Sequence, residues 1–134
     1  MPAQLIRTSG LYPGAPYAYA SVAPPGSLVF TAGACPIDET GVVTDAGDYA
    51  AQAVRAVSNL VAALAAAGAS VADVLKTTVY VASADRADLL TVWDVVHHAF
   101  GEHDAPSTLL GVALLGYAGQ LVEIEAIALA ARQS

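Results

Sequence analysis

The chain has 134 residues, of which 56% are hydrophobic and only 13% charged, with a formal net charge of −7; an average soluble protein carries about 25% charged residues. Its five basic residues, Arg7, Arg55, Lys76, Arg86 and Arg132, are scattered, which argues against a nucleic-acid partner, because such partners are gripped by grouped Lys and Arg. Charges and turn residues break every apolar run short of the roughly 18 residues of a membrane helix, so the surplus apolar surface points to burial against other subunits instead.

The length suits one domain spanning residues 1–134. Cys35 is the one cysteine, which excludes an intramolecular disulfide and suits a reducing compartment. The opening MPAQLIRTSG lacks a basic region followed by an apolar core, so the expected location is cytoplasmic.

Taken in order, Leu5–Arg7 reads as a short strand, followed by a Gly/Pro-rich loop that ends at Tyr17. Alternation over Ala18–Ala23, the turn Pro24–Ser27 and the apolar run Leu28–Ala32 together read as a hairpin. A loop with turn chemistry at Asp38–Gly41 leads to a helix from Tyr49 to about Ala67. Asp48 is its expected N-cap, Val54, Val57, Val61 and Leu64 its bulky stripe, and Gly68 its stop. Asp73–Val81 is rich in β-branched residues and reads as a central strand. A second helix covers Arg86–Phe100 with Asp85 as its cap. Two strands near Thr108–Ala113 and Leu121–Ala130 complete a β-β-β-α-β-α-β-β order, which implies an α+β fold with two helices on one face of a mixed sheet.

The sharpest chemical signal is Glu123 with Glu125, two acids in an otherwise apolar last strand. Alternation puts both on one face about 7 Å apart, with Val122, Ile124 and Ala126 on the other. A carboxylate among apolar neighbours has its charged form disfavoured and becomes a candidate proton acceptor; an inter-subunit hydrogen bond is the structural alternative. Cys35, in Gly33-Ala34-Cys35-Pro36, is a candidate thiol, although an inert buried cysteine is the commoner case. Tyr17 follows Pro16 and either aims its hydroxyl into a cleft or packs. Trp93 lies on the apolar stripe of the second helix, where a core role is favoured. His97 and His98 point roughly 100° apart on that helix, poor geometry for a shared metal. No phosphate loop, dinucleotide-binding glycine motif, paired CxxC or HExxH occurs.

Taken together, the residues resemble the reactive intermediate deaminase (RidA/YjgF-like) family over nearly the whole chain. Ala15-Pro16-Tyr17 is similar to its Gly-Pro-Tyr loop and Thr31–Pro36 to its Thr-Ser-Gly-Gln-x-Pro segment. Ala65–Gly68 followed by Asp73–Val81 is similar to its Ala-Ala-Gly…Asp-Val-x-Lys-Thr-Thr-Val-x-Val, and Val122–Ala128 to its C-terminal signature. The resemblance implies a chorismate-mutase-like fold assembled as a homotrimer, with clefts between subunits and no cofactor or metal. It also implies hydrolysis of imines and enamines with Glu123 as the catalytic residue. Tyr17, Ala32, Gly33, Trp93, Ser107 and Leu109 fall where the family lines its cleft, and Cys35 is a candidate modulator.

Two departures stand out within that resemblance. Trp93 replaces a usual asparagine, and Ser107 stands where the family's Pro-Ala-Arg-Ser segment carries its substrate-binding arginine. A guanidinium holds a carboxylate bidentately, whereas a hydroxyl offers one neutral donor. The expectation is therefore a hydrolase or deaminase acting on a small imine, enamine or related carbonyl compound other than the usual α-imino acids. The alternatives are a non-catalytic trimer that binds a small metabolite and, less favoured by the acidic composition, an endoribonuclease or translation inhibitor.

Overall fold

The computed structural model describes residues 3–130, so that Arg132 lies outside the described residues. Strands β1 (Gln4–Ile6), β2 (Ala20–Val22) and β3 (Leu28–Phe30) precede helix α1 (Tyr49–Ala66); β4 (Val74–Val81), α2 (Arg86–Phe100), β5 (Ser107–Gly111) and β6 (Val122–Leu129) follow. Both helices start where a side chain satisfies an orphan amide: Asp48 accepts from the Ala51 N–H and Asp85 from the Ala87 N–H, each at 2.9 Å. Helix α1 stops at Ala67, and Gly68 follows with φ of +81°, a conformation that glycine adopts without steric cost.

The main sheet has the order β3-β6-β4-β5, with β4 and β5 parallel and the other pairs antiparallel. Helix α1 packs on β6 and α2, and α2 packs on β4 and β5, which places both helices on one face of a mixed sheet. Val74, Val79, Val81, Val122, Ile124, Ala126 and Ala128 point into that layer and are buried. By strand alternation Lys76, Thr78, Tyr80, Glu123, Glu125 and Ile127 point the other way. That second face carries no helix, and Phe30 on β3 is 69% exposed there. No helix among the described residues is long and apolar enough to cross a membrane.

Two expectations are corrected. The stretch from Ala18 to Ala32 is not a hairpin: β2 pairs with β1 in a separate two-stranded sheet, and β3 pairs with β6. Pro24 and Pro25 supply no N–H to a ladder at the point where a hairpin would close, and the Ser21 hydroxyl instead donates to the Leu75 carbonyl at 2.6 Å. The buried stripe of α1 also differs from the valine stripe expected. Val57 and Leu64 are buried as expected, together with Ala53, Ala56 and Leu60, while Val54 and Val61 face outward. The alanines of that face let the helix approach closely, and Leu60 and Leu64 fill the space between.

Candidate functional site

The site residues fall into two groups, the first centred on Glu123. Strand β6 presents Glu123 and Glu125 on the helix-free face, in register with Tyr80 and Thr78 of β4. Glu125 accepts a very short hydrogen bond from the Tyr80 hydroxyl, which pushes the phenol above its usual range. Glu123 has different neighbours. Its Oε1 accepts from the Cys35 thiol at 3.2 Å and from the Gln120 amide at 3.1 Å. Gln120 is buried and is itself fixed, donating to the Val122 carbonyl and accepting from the Tyr117 N–H. The carboxylate expected among apolar groups therefore sits among polar donors.

The backbone around it is held just as firmly. Ala34 and Ile124 exchange both of their backbone hydrogen bonds, at 2.7 and 3.1 Å, which lays the Gly33–Cys35 loop beside Glu123. A Cβ on Gly33 would overlap Glu123 Oε2, so glycine is required here by space rather than by backbone angle. Helix α1 clamps the loop from behind: the Asn59 amide donates to the carbonyls of Cys35 and Ile37, and Arg55 donates to Ile37. Burial, and then the hydrogen bond and charge of Glu123, push the Cys35 thiol up from 9.0 to about 11. At neutral pH Cys35 is a donor to the glutamate and not a thiolate nucleophile.

The second group surrounds a cavity of about 450 Å³ between α2, the Pro16-Tyr17 loop and β5, a size that suits a small organic ligand. Trp93, Ser107 and Leu109 line it together with Tyr17 and Leu90. The Tyr17 and Trp93 rings meet edge to face with centroids 6.5 Å apart at 85°. Arg7 positions the loop by donating to the carbonyls of Ala15 and Tyr17 at 2.9 and 3.0 Å. The Ser107 hydroxyl accepts from Thr77 at 2.7 Å, and Thr108 accepts from Lys76 at 2.6 Å. Trp93, expected in the core, packs against it on one side and walls the cavity with the other.

Within one chain the two groups do not meet. Ser107 is in register with Thr77 of β4 and bonded to it on the helix side, whereas Glu123 is in register with Tyr80 on the opposite face. Ala32 and Gly33 lie with the glutamate, and Tyr17, Trp93, Ser107 and Leu109 lie with the cavity. Sequence reasoning missed Gln120, Asn59, Arg7 and Asp104. His97, read from the sequence as a surface or interface histidine rather than a metal ligand, stacks on Trp93 with ring centroids 5.9 Å apart, and its Nε2 lies 3.1 Å from Asp104 Oδ1. Because a carboxylate only accepts, that nitrogen carries the proton.

The sequence matches the family model described as "Endoribonuclease L-PSP" over residues 8–130. It is 37% identical over 109 residues to the 2-iminobutanoate/2-iminopropanoate deaminase of Salmonella typhimurium, covering 81% of this chain and 82% of the relative. Among solved structures, the Rid-family protein YyfB of Yersinia pestis superposes with a TM-score of 0.88 at 29% identity, covering 96% of this chain and 99% of that one. Escherichia coli TdcF with bound serine superposes with a TM-score of 0.68 at 33% identity, covering 87% and 96%.

Proposed function

This chain belongs to the endoribonuclease L-PSP family of RidA/YjgF-like proteins, and on that premise we propose that it hydrolyses a small imine, enamine or related carbonyl compound in clefts between the subunits of a homotrimer. The observation that carries this reading is the fixed carboxylate of Glu123, held by Cys35 and Gln120 on the uncovered face of the sheet. In the proposed trimer, Glu123 of one copy faces the Tyr17–Trp93–Ser107 cavity of the next, and the apolar patch around Phe30 is buried between copies.

Both protein donors meet Oε1, so Oε2 is assigned to the attacking water. Glu123 takes a proton as the water oxygen bonds to the imine carbon, and the C=N π electrons pass to nitrogen. Return of that proton to nitrogen gives the carbinolamine; Glu123 then takes the carbinolamine O–H proton and passes it to nitrogen, so that the C=O bond forms as the C–N bond breaks and ammonia leaves. The net change is imine plus water to carbonyl compound plus ammonia, with no oxidant, reductant or cofactor required. The relatives named as deaminases support this chemistry, and the scattered basic residues speak against RNA as the substrate.

The test is imine hydrolysis with semicarbazide trapping, comparing wild type with Glu123→Gln and Ser107→Arg. Turnover by wild type that falls by about 100-fold or more in Glu123→Gln is expected if the carboxylate moves the proton. Saturable binding by wild type without any turnover would reject the hydrolase and favour a metabolite-binding trimer.

A further inference from the structure

The walls of the α2 cavity narrow the substrate class. Tyr17, Leu90, Trp93 and Leu109 make its lining mostly apolar and aromatic, and among the described residues no cationic one lines it. Among the described residues Arg7 and Lys76 are hydrogen-bonded elsewhere, and Arg86, one turn before Leu90 on α2, is not one of the lining residues. Arg7 faces Asp104 at 2.9 Å and two backbone carbonyls, and Lys76 donates to Thr108. A carboxylate entering the cavity would meet no counter-ion among these lining residues, in a chain whose net charge is already −7. The Ser107 hydroxyl accepts a hydrogen bond from Thr77, which leaves its own O–H as a neutral donor to an uncharged acceptor.

The aromatic corner is also braced. Trp93 stacks on His97 with only 9° between the ring planes, His97 is bonded to Asp104, and Asp104 is paired with Arg7. Arg7 in turn holds the carbonyl of Tyr17, whose ring closes against Trp93. This circuit fixes both rings before any ligand arrives, which lowers the entropic cost of binding a flat group.

Building on the hydrolase reading above, we propose that this cavity is an aromatic subsite for the apolar, aryl or branched-alkyl substituent of a carboxylate-free imine or enamine. Trp93 is its specificity-determining residue, and Arg7, Asp104 and His97 are positioning residues that brace it.

Trp93 is the one tryptophan in the chain, so its emission reports occupancy without turnover. The full-length protein is titrated with benzamide and isobutyramide and with the carboxylates benzoate and pyruvate at one ionic strength. The expected result is a saturable emission change with the amides, at dissociation constants roughly tenfold or more below those of the carboxylates. Equal or tighter binding of the carboxylates overturns the proposal; if Arg86→Gln then abolishes their binding, the cation lies one turn before Leu90 on α2. No emission change with any probe also overturns it. In thermal-shift titrations Trp93→Phe should keep the preference for benzamide and Trp93→Ser should lose it. His97→Ala should shift the ligand-free emission and weaken benzamide several-fold, and His97→Phe, which keeps a stacked ring, should restore much of that affinity.

Turnover separates the two readings. Imines from an amine oxidase acting on arylalkyl amines should be hydrolysed about tenfold faster than those from an amino-acid oxidase. A reversed preference overturns the subsite and leaves the hydrolase standing. Amide binding as expected with no turnover of either set rejects the hydrolase and leaves the subsite standing.

Discussion

Ser107 and Glu123 lie on the two strands that flank β4, yet their side chains leave the sheet on opposite faces. No rotamer change brings them to one ligand within a single chain, because the sheet itself stands between them. Sedimentation should therefore find a trimer at working concentrations. Phe30→Asp, which places a charge in the exposed apolar patch of β3, should shift the protein towards monomer and lower turnover by about 100-fold with its far-ultraviolet spectrum unchanged. A fully active monomer would refute the shared cleft.

Gly33→Ala tests how tightly Glu123 is placed. The added methyl competes with Oε2 for the same volume, so the side chain must rotate away from Cys35 and Gln120. Displacing a reacting group by about 1 Å costs on the order of 100-fold in rate, while the strain should cost stability only about 1–3 kcal/mol. Steady-state kinetics beside urea unfolding distinguishes the two effects. Unchanged turnover would remove Glu123 from the reaction.

Cys35 should be slow to react. A thiol raised from 9.0 to about 11 leaves on the order of 100-fold less thiolate at pH 8, and iodoacetamide labelling should lag behind that of the unfolded chain accordingly. The same shift makes stability depend on pH. The unfolded thiol loses its proton near 9.0 and the folded one near 11, so ionisation favours the unfolded chain between them. The contribution is intact below pH 9 and is lost as pH rises through 11. Unfolding of wild type and Cys35→Ser at pH 7, 9 and 11 should show the wild type losing more, with Tyr80 contributing equally to both.

Gln52 is wholly buried on α1, where its Oε1 accepts from the Leu121 N–H at 2.8 Å and its Nε2 donates to the carbonyls of Gly119 and Asp45. Gln52→Leu keeps the volume but strands those backbone groups, so stability should fall by about 2–4 kcal/mol. Denaturant unfolding measures it. A loss under 1 kcal/mol would mean that water replaces the amide.

The elements that depend on local chemistry were legible in the sequence. Asp48 and Asp85 announced helix starts, Gly68 announced a stop, and the alternation of Val122–Ala128 fixed which face carries the acids. What escaped depends on pairing between distant segments. Nothing local to Ala20–Val22 reveals that its partner is Gln4–Ile6, nor that Leu28–Phe30 joins the last strand. The site divides the same way. Glu123 stood out as an acid in an apolar strand, whereas Gln120, Asn59 and Asp104 matter through contacts that only the fold creates. The Trp93–His97 stack follows i,i+4 helix spacing, whereas the His97 contact with Asp104, beyond the end of the helix, depends on how the chain turns there.

The position of β6 has a consequence for how the chain is made. The strand that comes last in the described order is an inner strand, sitting between β3 and β4 and pairing Leu28 with Leu129. Until β6 emerges, β3 has no partner in the main sheet and β4 has only β5, with a row of unsatisfied amides and carbonyls waiting for one. Closure of the main sheet thus waits for β6, and before it emerges the nascent chain carries an open slot that any extended segment could fill.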